Sequence, residues 1–433
     1  MTPQSSFAVV APIATGRESD LRACLASMNH RPGVVDPENA VVPFGRFERL
    51  HFARFVILDD RTVGDIVAHG VTPPRDPPSL AFVGDCDGPA PDFLRELVRG
   101  AGPGLERIFS HCEGFSGRGD LLGWMTAHER PAATHYVNWV GRTVRQVREE
   151  HALRQALETY LDAHARTLGS RAPAQVCDDL RAFVARERQA GRLTLTAAEP
   201  TPLGWRLRQL VHLIGVPLVL LLAAPLLLLY LPVFLVLLRR RERSDPVIAP
   251  RPDPEHAKQL ADLEDHDVTN QFSAMGTLKP GWFRRTTLTF VLWIVSYTTR
   301  HIYTHGFLAR VGTIHFARWT FLDDKHRLLF ASNYDGSLES YMDDFINKVA
   351  FGLNVVFTNG VGYPRTRWLL LDGAKDEQKF KYFIRRHELP TEVWYNATPG
   401  LTAVEKERNS RIRSGLEQPA MTDAEAREWL RLL

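Results

Sequence analysis

Apolar positions recur along the chain in two spacings and one unbroken run. Runs of strand length, rich in aromatic and β-branched residues, stand at 7–13 (FAVVAPI), 50–58 (LHFARFVIL), 79–84 (SLAFVG) and 134–140 (THYVNWV). Between them, 17–28 (RESDLRACLASM) and 91–100 (PDFLRELVRG) space their apolar residues as helices do. A second series follows later. Strands are predicted at 271–278, 312–322, 327–333 and 391–397, with an apolar helix at 284–300 and a helix at 337–350. Extra elements, WLLLD and KDEQKFKYFIRR, fall between the last helix and the last strand of that series. Segment 143–200 reads as further helices, with Thr143 as an N-cap.

The two series are copies of one unit. His51-Phe52-Ala53-Arg54 recurs as His315-Phe316-Ala317-Arg318, and each is followed by an Asp pair, Asp59-Asp60 and Asp323-Asp324. Phe7 and Gly16 match Phe272 and Gly281, Asp87-Gly88 matches Asp335-Gly336, and Tyr136, Gly141 and Thr143 match Tyr395, Gly400 and Thr402. The order is kept throughout, so an internal duplication is the economical explanation. Each copy reads β-α-β-β-α-β, the ferredoxin-like order. The expected fold is α+β: two tandem ferredoxin-like units, 1–165 and 266–433, packed sheet against sheet as a pseudo-symmetric pair. Between them come a helical connector (166–204), a membrane-inserted segment (205–243) and a proline-rich charged linker (244–265).

The unbroken run is that insert. From 210 to 238 no residue carries a formal charge, His212 being taken as neutral. A run of this length is a membrane-helix candidate, reaching roughly 43 Å as a helix. Pro217, Pro225 and Pro232 predict kinks. Arg206 and Arg208 precede the run and Arg239, Arg240, Arg241 and Arg243 follow it. Arginine on both flanks favours both ends on the cytoplasmic side, hence a re-entrant or in-plane insert. The expectation is a membrane-associated, monotopic protein with its bulk in the cytoplasm and the lipid bilayer as partner. The unusually apolar stretch at 286–298, preceded by Arg284 and Arg285, has three readings: at the membrane interface, against the insert, or in the soluble core.

Composition narrows the function classes. With 53 basic and 50 acidic residues the formal charge is +3, too small a field for a nucleic-acid partner to be expected. Four scattered cysteines form no CxxC pair, which points to reduced thiols rather than a zinc or dithiol site. No P-loop, GxGxxG, GxSxG or HExxH occurs. His266 stands between Asp265 and Asp267, but neighbours along a chain converge poorly on a metal, so a solvated loop is the better reading.

One motif carries a resemblance. Gly84-Asp85-Cys86-Asp87-Gly88 is similar to the GxxDG motif of the dye-decolorising peroxidases, relatives of the chlorite dismutases in the dimeric α+β barrel superfamily. Those proteins also comprise two ferredoxin-like units, with haem on the C-terminal one. The resemblance implies haem as cofactor. Asp87 would be the acid–base residue for peroxide, with Gly84 and Gly88 shaping its loop. Arg318, ahead of Arg327-Leu328-Leu329-Phe330, would be the distal arginine. His301 or His305 would bind the iron, His301 being placed at the family's spacing. An imidazole ligand, a carboxylate proton shuttle and an arginine for developing negative charge make a coherent set. Against this, Asp-Gly and HFAR occur in both copies. A feature present twice in a pseudo-symmetric fold reads as structural, with Asp as turn and cap. His51 and His315 then read as core residues, and alternation predicts His51 and Arg54 on opposite faces of their strand.

Two functions stay open at this point. One is a membrane-attached, haem-dependent, peroxidase-like oxidoreductase acting on a lipid or quinone-type substrate. The other is a non-enzymatic, monotopic lipid-binding or scaffold protein on a degenerate barrel. A third, a lipid-modifying enzyme using the Asp pairs as carboxylates, competes with their reading as turn residues.

Overall fold

The computed structural model describes residues 1–73, 77–117 and 119–433 and is α+β. Its principal strands are β1 (Gln4–Pro12), β2 (Leu50–Leu58), β3 (Ser79–Asp87), β4 (Thr134–Val137), β5 (Thr269–Thr277), β6 (Ile314–Leu322), β7 (Arg327–Asp335) and β8 (Thr391–Asn396). The principal helices are α1 (Glu18–Ala26), α2 (Ala90–Phe109), α3 (Val144–Leu168), α4 (Pro173–Gln189), α5 (Leu203–Ser244), α6 (Trp282–His301), α7 (Leu338–Phe357), α8 (Glu377–His387), α9 (Ala403–Leu416) and α10 (Asp423–Leu430).

The strands form two four-stranded antiparallel sheets, ordered β1-β3-β2-β8 and β4-β6-β7-β5. This corrects the expectation of two self-contained units. The last strand of each copy pairs in the other copy's sheet: Tyr136 lies opposite Ala317, and Tyr395 opposite Ala53. The order also differs from that of a closed ferredoxin-like unit, because the foreign strand pairs on the second strand of the copy. Neither copy completes its sheet alone, and the boundaries at 165 and 266 separate sequence repeats rather than folded bodies.

The sheets face each other across Ala8, Val10, Val56 and Val83 on one side and Met275, Leu322 and Leu329 on the other. The outer face of sheet one is covered by α1 and α2, through Leu21, Leu25, Phe93 and Leu97. The outer face of sheet two is covered by α6, α7 and α8, through Leu288, Leu292, Phe345 and Phe380. Each such side chain buried contributes roughly 1.5–3 kcal/mol. Helices α3, α4, α9 and α10 build a separate apolar cluster around Leu157, Leu180, Ile412 and Trp429. The duplication extends to a backbone defect. α2 leaves helical geometry at Ala101 and α7 at Val349, at equivalent distances from Asp87 and Asp335.

A second correction concerns His51. The pairing of β2 with β3 slips between Leu50 and Phe52, and that of β6 with β7 between Ile314 and Phe316. These bulges add one residue and break strict alternation. His51 therefore packs on Phe316 of the opposite sheet, 5.1 Å between ring centres, on the same side as Phe52.

Candidate functional site

Asp87 ends β3, and both its carboxylate oxygens are engaged. Oδ1 is 2.9 Å from His51 Nε2, and Oδ2 accepts the backbone N–H of Val144 at 2.9 Å. Asp335 repeats this with His315 Nε2 at 2.6 Å and the N–H of Ala403 at 2.7 Å. Each aspartate ties a strand end, a bulge histidine and the first turn of α3 or α9, where Thr143 and Thr402 close capping boxes. Burial acts to raise the Asp335 pKa, but His315 and the Ala403 N–H outweigh it and hold it below the usual range. The copies differ at two points: Asp335 Oδ1 also accepts from Thr269 Oγ1 at 3.1 Å, and buried Lys406 stands 3.2 Å from His315 Nδ1, its pKa pushed down to about 8 by desolvation. Gly88 takes a positive φ of 77°, as the turn requires. A Cβ on Gly84 would fall on the Phe7 ring.

Arg318 lies elsewhere, between the sheets. Its Nε donates to Thr320 Oγ1 and its Nη2 to the Arg130 carbonyl, both at 3.1 Å. It shares a cavity of about 10 Å³ with Arg54 and Asp85, the volume of about one water. Burial lowers the pKa of both arginines to about 10, with Asp85 as the opposing charge. His301 closes α6, with Nε2 2.8 Å from His212 Nδ1. His305 sits edge-on to Trp139, and its Nδ1 is 2.8 Å from Thr304 Oγ1.

The residues proposed for haem thus occupy separate places: a helix-capping knot, the space between the sheets, and the surface around α6. Neither His301 nor His305 lines the cavities that hold Asp87 or Arg318. A histidine not singled out in the sequence, His387, has the bare ring nitrogen an iron would need. Its Nδ1 donates to the Phe383 carbonyl at 2.8 Å, and its Nε2 has no partner among the described residues. The apolar cavity beside it is about 40 Å³, against roughly 300 Å³ where small-molecule sites begin. The residues that the resemblance names for haem do not assemble around one cavity. Among the described residues no cluster of three or more His, Cys, Asp or Glu could hold a metal ion. The ring of His266 meets the Asp262 carbonyl. The Asp pairs are turn residues: Asp60 accepts from Thr62, and Asp323 and Asp324 take positive φ.

The insert has the most informative geometry. α5 runs as one helix through Pro217, Pro225 and Pro232, all on its exposed surface. Their spacings of eight and seven residues put the three lost N–H bonds near one side, and the helix is continuous through all three. It lies antiparallel along α6: His212 meets His301, Tyr297 Oη donates to the Leu213 carbonyl at 3.4 Å, and Phe234 and Leu238 meet Phe283. α6 meanwhile packs Leu288 and Leu292 into sheet two, so two of its three sequence readings hold together.

The far end of α5 is clamped to the body. Buried Glu242 accepts the N–H groups of Trp368 and Leu369 at 3.0 and 2.9 Å. Asp245 accepts from Lys279 at 2.7 Å and Arg284 at 2.6 Å. Burial would raise the Asp245 pKa, but His69, Lys279 and Arg284 hold it well below the carboxylate range. Between its ends the helix exposes leucines over most of its circumference, Leu221, Leu222, Leu226, Leu228 and Leu229 among them. Nothing in the sequence marked the clamp, because Glu242 and Asp245 sit inside a run of surface-like charges.

At the near end of α5 lies a cavity of about 1060 Å³. Its wall takes in the start of β1, the Asp87–Pro91 turn, the 202–209 segment and the end of α6. Four arginines face it: Arg49, Arg145, Arg208 and Arg300. Arg145 pairs with Glu48 at 2.6 Å and Arg49 with Glu96 at 3.3 Å. Arg208 and Arg300 have no carboxylate partner among the described residues, and Arg208 reaches only the Gly204 carbonyl, at 3.3 Å.

No known family model matches this chain, and no curated protein does. Among solved structures, the crystal structure of a "putative monooxygenase" from Fusobacterium nucleatum subsp. nucleatum ATCC 25586 aligns over 93% of this chain and 97% of its own, at 8% identity and a TM-score of 0.24. A likeness that low carries no argument about fold or activity.

Proposed function

We propose that the chain is a monotopic, membrane-attached lipid-binding protein whose α5 lies in one leaflet, parallel to the surface. The observation that carries this is the antiparallel seating of α5 on α6. α6 belongs to the layer covering sheet two, so α5 could cross a bilayer only by drawing that sheet in with it. Both ends of α5 are also tied to the same body, by His212 at one end and by Glu242 and Asp245 at the other. The arginines on both flanks then sit at headgroup level on one side, which supports a cytoplasmic body. The apolar surface of α5 far exceeds what a soluble helix leaves bare, and a lipid leaflet is the environment that covers it. The peroxidase reading has no assembled site to act through.

The test is sidedness. Thr201→Cys and Ser244→Cys, placed in the full chain reconstituted into vesicles, are exposed to a membrane-impermeant thiol reagent. All four native cysteines are buried. An in-plane helix gives labelling of both positions from the same side. Labelling of one from outside and the other only after lysis would overturn the proposal.

A further inference from the structure

We infer that the cavity at the near end of α5 is a headgroup site for one anionic phospholipid, whose phosphate is held by Arg208 and Arg300. This rests on the in-plane reading of α5 and deepens it.

Three observations converge. The cavity holds an excess of positive charge. Its carboxylates are already engaged, Glu48 by Arg145, Asp87 by His51 and the Val144 N–H, and Glu199 by the Thr2 hydroxyl at 2.8 Å. Arg208 and Arg300 have no such partner among the described residues, and a guanidinium is built for two parallel bonds to a phosphate. Next, the start of α5 brings Pro202, Trp205, Arg208 and Gln209 to the wall and no acidic residue. Last, the two arginines come from the junction where His212 joins His301, the point at which α5 leaves the body for the leaflet. A lipid lying beside α5 would bring its phosphate to this level. A volume of about 1060 Å³ accommodates a headgroup and glycerol. A choline headgroup would bring its own cation against unpaired guanidiniums, so anionic lipids are preferred.

The probe is phosphatidylglycerol, added to the detergent-solubilised full chain and read by native mass spectrometry, with phosphatidylcholine as comparison. The expected result is one retained phosphatidylglycerol per chain. Arg208→Gln or Arg300→Gln should lower occupancy about tenfold. Arg95→Gln and Arg188→Gln, on α2 and α4 and outside the cavity wall, should leave it unchanged. Equal retention in Arg208→Gln and Arg300→Gln, or equal retention of phosphatidylcholine, would overturn the inference. Displacement by millimolar inorganic phosphate or glycerol phosphate would make this a soluble-phosphate site and overturn the assignment to lipid. Flotation of the variants with mixed vesicles and unchanged thermal melts show that attachment and fold persist. Failure of the unmodified chain to float would instead strike the membrane proposal, while the detergent measurement still reads the headgroup site.

Discussion

His212 Nδ1 and His301 Nε2 face each other at 2.8 Å across the seam between α5 and α6. The bond requires one donor and one acceptor, so at least one ring must be neutral. Desolvation lowers the His301 pKa below 6.5, and the neighbouring His212 and Arg300 lower it further. For a base whose folded pKa is depressed, the folded state binds fewer protons than the unfolded one. The stabilisation is therefore complete above about pH 6.5 and is lost as pH falls below it. Doubly charged rings would present two donors and repel. A spin-label distance between the first turn of α5 and sheet two should lengthen between pH 7.5 and pH 5. His301→Phe, which keeps the contact with Tyr297, should abolish that response. An unchanged distance across this range would show that the pair does not control the seam.

The other end of α5 should respond to charge rather than pH. Asp245 is the shared counter-ion of two buried cations, Lys279 and Arg284. Asp245→Ala would leave both uncompensated, a loss of roughly 3–5 kcal/mol. Chemical denaturation should show a midpoint shift of that size, whereas Asp253→Ala, at an N-cap in the following linker, should cost about 1 kcal/mol. Comparable costs for the two would remove the clamp from the account.

Asp87 and Asp335 tie equivalent helix starts, but Asp335 also balances buried Lys406, so its variant should cost more. Alanine at either position frees a helix N-terminus and a buried histidine, together about 2–3 kcal/mol. Thermal melts of both Asp87→Ala and Asp335→Ala should fall, that of Asp335→Ala further. A loss confined to a haem-dependent activity, with Asp87→Ala melting normally, would restore Asp87 as an acid–base residue.

The relation between sequence and structure differs from element to element. The duplicated strands were legible because aromatic and β-branched runs bounded by turns form strands in either copy. The doubling of Asp-Gly pointed to an N-cap of the helix that follows, but those helices have Pro89 and Ser337 as N-caps, and each Asp instead binds the first N–H of a helix far along the chain. The exchange of β4 and β8 was not legible: alternation says which face of a strand is apolar, not which sheet it joins. The bulge at His51 was invisible for a related reason, since an added residue leaves no mark in local composition. Arg208 was noticed only as a flanking charge. Arg300 became interesting only once α6 was seen to end beside α5.

The exchange itself can be tested by dividing the chain. Residues 1–200 contain β1, β2 and β3 but lack β8, so β2 would present an open edge, and β4 would have no sheet to join. Residues 244–433 have the reciprocal defect. Each fragment alone should therefore lack cooperative unfolding and self-associate through its edge, because exposed strand edges recruit other strands. Co-expressed, the fragments should form a one-to-one complex with a single unfolding transition, held by the two foreign strands. Tyr395→Pro removes the β8 residue paired with Ala53 and should prevent that complex. If instead 1–200 folds alone as a stable monomer with cooperative melting, the copies are independent units and the exchanged topology is wrong.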